Sequence, residues 1–359
     1  MSTRSVVPFG PQHPVLPEPI HLDLVLEDEK VVEAVPSIGF IHRGLEKLVE
    51  KKDFNEYVYV AERICGICSF MHGMGYCEAV EHIMNIEAPP RAKYLRTIWC
   101  EMSRIHSHLL WLGLLADAFG FESLFMQSWR MREKVLDMFE YSTGGRVIFS
   151  VNKIGGQRKD MDKDMLEQFL KLFAEMEKEL RELSKTFLND YAVNSRLKGV
   201  GVLSKQQAYD LGAVGPFLRA SGVKLDNRKL GYAAYPDIDF EPITSNVGDC
   251  YARCDVRIRE IFQSFDIIRQ AAAKIPDGEI AAAVKGFPNG EHFMRVEQPR
   301  GEAVYYVKAN GTKFLERVRV RTPTFANLPG MLETLKGCQL ADVPILILTI
   351  DPCISCTER

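Results

Sequence analysis

Two Cys-x-x-Cys pairs, Cys65-Gly66-Ile67-Cys68 and Cys353-Ile354-Ser355-Cys356, have 284 residues between them and constrain this chain more than any other feature. Each pair sets two soft sulfur ligands one helical turn apart, within reach of a single metal centre. If both pairs serve one centre, the fold must bring its two ends together around a buried site. A local zinc finger needs no such reach.

The bulk of the chain is compatible with that demand. Its 359 residues, 46% hydrophobic and 26% charged, describe a globular protein with ample material for a core. A net charge of −3 gives no reason to expect nucleic acid as a partner. No apolar run approaches the roughly 18 residues needed to span a bilayer, and the N-terminus Met1-Ser2-Thr3-Arg4 opens no signal peptide, so a soluble chain is expected. Nine cysteines, an odd number, point to a reducing compartment and away from a disulfide framework. Cys77, Cys100, Cys250, Cys254 and Cys338 are read as packing residues, although Cys250 and Cys254 have a spacing that could also hold metal.

Residues 1–60 read as strand and turn, with a hairpin between Ile20–Leu26 and Val31–Val35. Helical spacing begins at Tyr57 and carries Cys65 and Cys68 to a helix end. Pro89-Pro90 separates that segment from a long helix over Arg91–Asp117. Lys163–Leu188 is strongly amphipathic, its stripe running from Leu166 to Phe187, and Arg253–Lys274 repeats the pattern more weakly. Ala303–Lys308 and Lys313–Val320 flank Asn310-Gly311, a hairpin signal. Val343–Thr349 reads as a short buried strand leading into Asp351-Pro352-Cys353. The expected architecture is α+β: one domain over 1–359, with an N-terminal β region (1–60), a central helical bundle (61–285) and a C-terminal β region carrying the metal-binding tail (286–359).

Spacing alone leaves three readings of the cysteines. Structural zinc is common, but its pairs usually lie about 15–20 residues apart. A dithiol redox site needs only one pair, and no thioredoxin-like unit surrounds either. The third reading is a catalytic thiolate site for nickel, iron or both.

The flanking residues weigh on that choice. Arg63-Ile64-Cys65-Gly66-Ile67-Cys68, His72, Arg43-Gly44-Leu45-Glu46, Pro299-Arg300-Gly301 and Asp351-Pro352-Cys353-Ile354-Ser355-Cys356 resemble, in order and spacing, the large subunit of nickel–iron hydrogenases. Gly10-Pro11-Gln12-His13-Pro14, His42-Arg43-Gly44-Leu45-Glu46 and Arg321-Thr322-Pro323-Thr324-Phe325-Ala326-Asn327-Leu328 also resemble the large catalytic-arm subunit of respiratory complex I. A chain carrying both signatures is similar to the membrane-bound, energy-converting hydrogenases of the Ech or CO-induced type. The resemblance spans essentially the whole chain. Its alternative is a complex I-like quinone or ferredoxin oxidoreductase subunit without nickel, a branch that has lost the four cysteines retained here.

The resemblance implies reversible conversion of H2 into two protons and two electrons at a Ni–Fe centre whose iron carries CO and cyanide, installed by maturation proteins. It implies Cys65 and Cys353 as terminal nickel ligands and Cys68 and Cys356 as bridges to iron. Glu18, 47 residues before Cys65, falls where the family has a proton-gating glutamate, with Cys353 as donor. Arg300 is expected over the open face of the metals and Asp351 as its partner. Glu46 matches a ligand of a magnesium-like ion, but relatives end in His where this chain has Arg359. A guanidinium has no lone pair for a metal, so a Glu46–Arg359 ion pair is the alternative. His13, His42 and Arg43 are expected to line the contact with a partner's iron–sulfur cluster. A further departure is His106-Ser107-His108, where Ser107 stands in place of the family's Asp and the two histidines can be packing residues. The implied partners are an iron–sulfur small subunit, ferredoxin and integral membrane ion-translocating subunits. The implied location is cytoplasmic, on the cytoplasmic face of the membrane.

Overall fold

Residues 4–16 and 18–359 are described by the computed structural model. Pro17, which the sequence places beside Glu18, lies outside them. The chain opens with β1 (Arg4–Phe9), β2 (His21–Glu27) and β3 (Lys30–Ser37), an antiparallel sheet in that order. Alternate residues Leu22, Leu24 and Leu26 of β2 are buried, the period-two pattern of a sheet with one face on a core.

A short α1 (Tyr57–Glu62) then leads through a loop into α2 (Ser69–Met84). Cys65 lies in the loop, and Cys68 is the residue that begins α2. Next come α3 (Pro90–Ala118) and α4 (Glu122–Thr143). Proline fits the first turn of α3 because the amide it lacks would have had no partner there. Nearly every face of α3 is buried, as befits a helix at the centre of a bundle.

The short strands β4 (Asn152–Lys153) and β5 (Gly156–Gln157) precede α5 (Lys163–Asn189). Asp162 caps α5 by accepting from the Met165 amide at 2.8 Å, and the stripe from Leu166 to Phe187 is buried. Then follow α6 (Tyr191–Leu197), α7 (Lys205–Asp210), α8 (Gly215–Ala220) and α9 (Cys250–Lys274), the last packed against α3. A second antiparallel sheet, β6 (Asn289–Gln298), β7 (Gly301–Asn310) and β8 (Leu315–Arg321), covers α2, and Pro299-Arg300 forms the β6–β7 turn.

Three helices close the chain: α10 (Pro323–Leu335), α11 (Val343–Ile350) and α12 (Ile354–Thr357). The strand expected over Val343–Thr349 is therefore a helix, and the region 286–359 is part sheet and part helix. Short apolar runs rich in Ile, Leu and Val satisfy either period. Pro344 at the first turn was the signal for helix. The mixed helix-and-sheet class agrees with the α+β expectation. No helix among the described residues is long and apolar enough to cross a membrane.

Candidate metal centre

Four chain segments meet at one point: the α1–α2 loop, the β6–β7 turn, the stretch after α11, and the approach to β2. The Sγ atoms of Cys65, Cys68 and Cys356 all lie within 4.8 Å of one another, and Cys353 Sγ is 3.3 Å from Cys65 Sγ. All four cysteines are buried and none is in a disulfide. The amides of Ile67 and Cys68 donate to Cys65 Sγ at 3.3 and 3.4 Å.

This cluster is electrostatically incomplete as four thiols. Hydrogen bonds from Cys353, Cys356 and Cys68, with help from Arg300, hold Cys65 well below the usual thiol range despite burial. The bonds that Cys356 makes to Cys353, Cys65 and Cys68, together with burial, push its own thiol up. A bound cation would deprotonate all four sulfurs. Four convergent soft donors at such separations fit nickel and iron.

Arg300 reaches over this cluster. Its Nη2 bonds Asp351 Oδ1 at 2.7 Å and its Nε donates to Asp351 O at 2.8 Å. Its Nη1 lies 3.6 Å from Cys68 Sγ and 3.4 Å from Ser107 Oγ. Burial opposes its charge, yet Asp351 and the sulfurs of Cys68, Cys353 and Cys65 hold its pKa well above the ordinary value. The other carboxylate oxygen, Asp351 Oδ2, is buried without a partner. Asp351 borders a cavity of about 230 Å3 shared by Glu18, Arg300, Cys353 and the apolar walls Ile67, Leu110, Trp111 and Trp129. A larger groove of about 620 Å3, beside Glu78 and His82, contains none of the cysteines.

Glu18 is bound to the second pair through its backbone. Its Oε2 accepts from the Ile354 amide and from the Ser355 amide at 3.2 Å, and Ser355 Oγ donates to its Oε1 at 2.8 Å. His72 Nε2 lies 3.4 Å from Cys356 Sγ, while its Nδ1 meets the Tyr305 hydroxyl. Burial pushes His72 down to about 4, so it is a neutral ring near neutral pH.

The remaining candidates divide. Arg43 ties the two cysteine segments together, donating to Ile64 O at 2.8 Å and Ser355 O at 3.2 Å. His42 Nδ1 is 2.8 Å from Glu358 O, whereas His13 stacks on Phe9 in the N-terminal region. His106 Nδ1 accepts from Arg132 Nε at 3.0 Å, and His108 Nε2 is 3.1 Å from Glu260 Oε2. Cys250 and Cys254 are buried and belong to no further ligand cluster among the described residues.

Glu46 does not fit the expected magnesium-like ion. Its Oε1 accepts from Arg359 Nε and the Val320 amide, both at 2.9 Å, and its Oε2 pairs with Arg319 at 2.9 Å. Two guanidinium groups sit on the Glu46 carboxylate, and neither can ligate a cation.

Several residues that touch the site were read in the sequence only within a resembling string, or not at all. Thr324 Oγ1 accepts from the Cys353 amide at 3.0 Å and Thr322 Oγ1 donates to Cys356 O at 2.9 Å. The signal was available, because Thr322-Pro323 is a helix-start pattern. Arg104 donates to Glu297 O and Gln298 O at 2.9 and 3.2 Å, fixing the strand just before Arg300. No spacing rule on α3 could have revealed that bond.

The chain belongs to the family of large subunits shared by nickel-dependent hydrogenases and the 49 kDa-type subunit of the respiratory-chain NADH dehydrogenase. The 49 Kd subunit family matches residues 118–287 and 282–359, and the nickel-dependent hydrogenase family matches residues 43–117. The membrane-bound hydrogenase subunit alpha of Pyrococcus furiosus is 38% identical over 98% of this chain and 87% of its own length. The carbon monoxide-induced hydrogenase of Rhodospirillum rubrum is 39% identical over the full length of both. One of the polypeptides of the F(420)H(2) dehydrogenase of Methanosarcina mazei is 36% identical over 100% of this chain and 98% of its own. Among solved structures, a chain of the archaeal membrane-bound sulfane sulfur reductase superposes with a TM-score of 0.95 at 32% identity, covering 99% of this chain and 98% of that one.

Proposed function

We propose that this chain is the catalytic large subunit of a membrane-bound, energy-converting [NiFe] hydrogenase, interconverting H2 with two protons and two electrons. Family membership alone does not choose the reaction, since relatives include hydrogenases, dehydrogenases and a sulfur reductase by name. The observation that carries the reading is the convergence of four buried sulfurs from distant pairs beneath Arg300.

Cys65, Cys68, Cys353 and Cys356 would together hold the Ni–Fe centre, whose iron would carry CO and cyanide. When bound, that group supplies the two-electron chemistry. The protein residues handle protons and charge. Cys353 Sγ exchanges the proton, and Glu18, on the same cavity, passes it onward. Arg300 presents fixed positive charge over the sulfurs and orients Asp351, leaving its Oδ2 without a partner as a second acceptor. The His72 ring meets Cys356 through Nε2. Electrons leave through an iron–sulfur small subunit to ferredoxin, and membrane subunits couple the transfer to ion translocation. This chain would lie on the cytoplasmic face of that complex.

The match of the 49 Kd subunit family to residues 118–359 supports the alternative of a quinone-reacting subunit without nickel. Nickel and iron analysis of the purified complex, with an infrared search for CO and cyanide bands, separates the two. About one nickel per chain with diatomic bands is expected. Zinc alone, or no metal at the cysteines, refutes the hydrogenase.

A further inference from the structure

A helix leaves its last carbonyls without intrahelical partners and gathers partial negative charge at that end. The end of α11 runs directly into Asp351, Cys353 and Cys356, so carbonyl dipoles, a carboxylate and sulfur ligands of like sign share one place. Side-chain donors take those carbonyls one by one. Trp111 Nε1 donates to Leu348 O at 2.8 Å, Arg257 Nη1 to Thr349 O at 2.7 Å, and Arg257 Nη2 to Ile350 O at 2.9 Å. Arg300 Nε completes the series at Asp351 O.

Arg257 therefore spans two consecutive carbonyls with one planar fork, from a fully buried position on α9. Its Nη1 also reaches Arg253 O at 3.1 Å, and its guanidinium lies over the Trp111 ring at 4.9 Å. Its hydrogen bonds go to neither sulfur nor the Asp351 carboxylate, so it reaches the centre through the backbone it holds and through its charge, which interacts with Asp351.

We propose that Arg257 is a positioning residue for the metal centre: it fixes residues 348–351 so that Asp351 and Cys353 face the first cysteine pair, and its charge offsets the negative end of α11. The inference deepens the hydrogenase reading and rests on it for its consequence, but the clamp itself operates without metal. Lysine here keeps a charge and reaches one carbonyl, whereas methionine fills the space and offers no donor.

The test compares wild type, Arg257→Lys and Arg257→Met as full-length chain and in the assembled complex. Amide hydrogen exchange over 351–357 in the metal-free chain should accelerate about tenfold or more in Arg257→Met, and less in Arg257→Lys, with α5 unchanged. In the complex, Arg257→Lys should retain nickel but shift or broaden the infrared bands of the iron ligands. Exchange at the wild-type rate in both variants overturns the clamp whatever metal is found. If Arg257→Met does not fold, unchanged exchange in Arg257→Lys is sufficient to overturn it. Nickel loss with unshifted bands in the loaded fraction would make Arg257 a folding residue only. A wild-type complex without nickel refutes the hydrogenase reading instead, and the exchange data still decide the clamp.

Discussion

Glu18 is held at both carboxyl oxygens, by two backbone amides on one and the Ser355 hydroxyl on the other, while still bordering the cavity beside Cys353. That arrangement lets proton transfer be separated from scaffolding. In Glu18→Gln the amide oxygen can still accept from Ile354 and Ser355, and the new NH2 can donate to Ser355 Oγ. The tail should stay docked and the metals bound. What is lost is a carboxyl that can take and release a proton, so under the proposed mechanism H2 turnover should fall by roughly 100-fold or more, the usual scale for a lost general acid–base. Isotope exchange between H2 and solvent should fall with it. Exchange at the wild-type rate would remove Glu18 from the proton path. Glu18 illustrates how far a sequence can be read at this scale, since its position relative to Cys65 could be matched to a family. Its bonds to residues 336 and 337 positions away could not.

At the scale of elements, the α1–α2 contact carries a titrating group. Glu62 at the end of α1 is fully buried, and a Cβ on Gly73 of α2 would come within 2.7 Å of its Cγ. Glycine at that point lets the two helices approach. Burial pushes Glu62 up to about 7 against 4.5 for the free carboxyl, although the Ser150 amide at 2.9 Å offsets part of this. A raised folded pKa means the folded state holds the proton more tightly. This contribution is fully present below about 4.5 and is lost as pH rises through about 7. Glu62→Gln removes the titration, so its stability relative to wild type should improve between pH 5 and 8, by up to about 3 kcal/mol. Denaturant midpoints at the two pH values measure this, and parallel profiles would contradict it. Elements with an unbroken period were legible in advance. The stripe of α5, the apolar length of α3 and the Asn310-Gly311 turn each impose a single reading. Helix α11 was not, because seven apolar residues and a lone threonine have no polar face to set a period, and tertiary donors such as Arg257 and Trp111 hold its end. The same is true of β6, whose pairing with β7 is what creates the Arg300 turn.

Across the whole molecule, the two ends close on each other, and that closure forms the site. Glu358 accepts from the amides of Gly39 and Ile41 at 2.6 and 2.5 Å, Arg43 donates to Ser355 O, and Arg359 pairs with Glu46. The cysteine spacing made such a closure legible; the latch was legible only as an alternative to a bound cation. Arg359 also donates to Thr357 O at 3.0 Å and lies over the Phe325 ring at 5.7 Å, so its charge is fixed from several sides. Burial works against the Glu46 carboxylate, but hydrogen bonds from Arg319, the Val320 amide and Arg359 hold its pKa below the ordinary value. A depressed folded pKa gives a contribution that is present above about 4.5 and lost as pH falls below it. An attached guanidinium that takes the place of a divalent cation carries no dependence on free cation concentration. Chelation of magnesium should leave hydrogen exchange over 353–359 unchanged in the wild-type chain. Arg359→Ala should raise it several-fold and lower nickel retention in the complex, as should acidification of the wild type well below 4.5. If chelation instead loosens the segment and Arg359→Ala does not, a bound cation holds this end of the chain and the guanidinium is incidental.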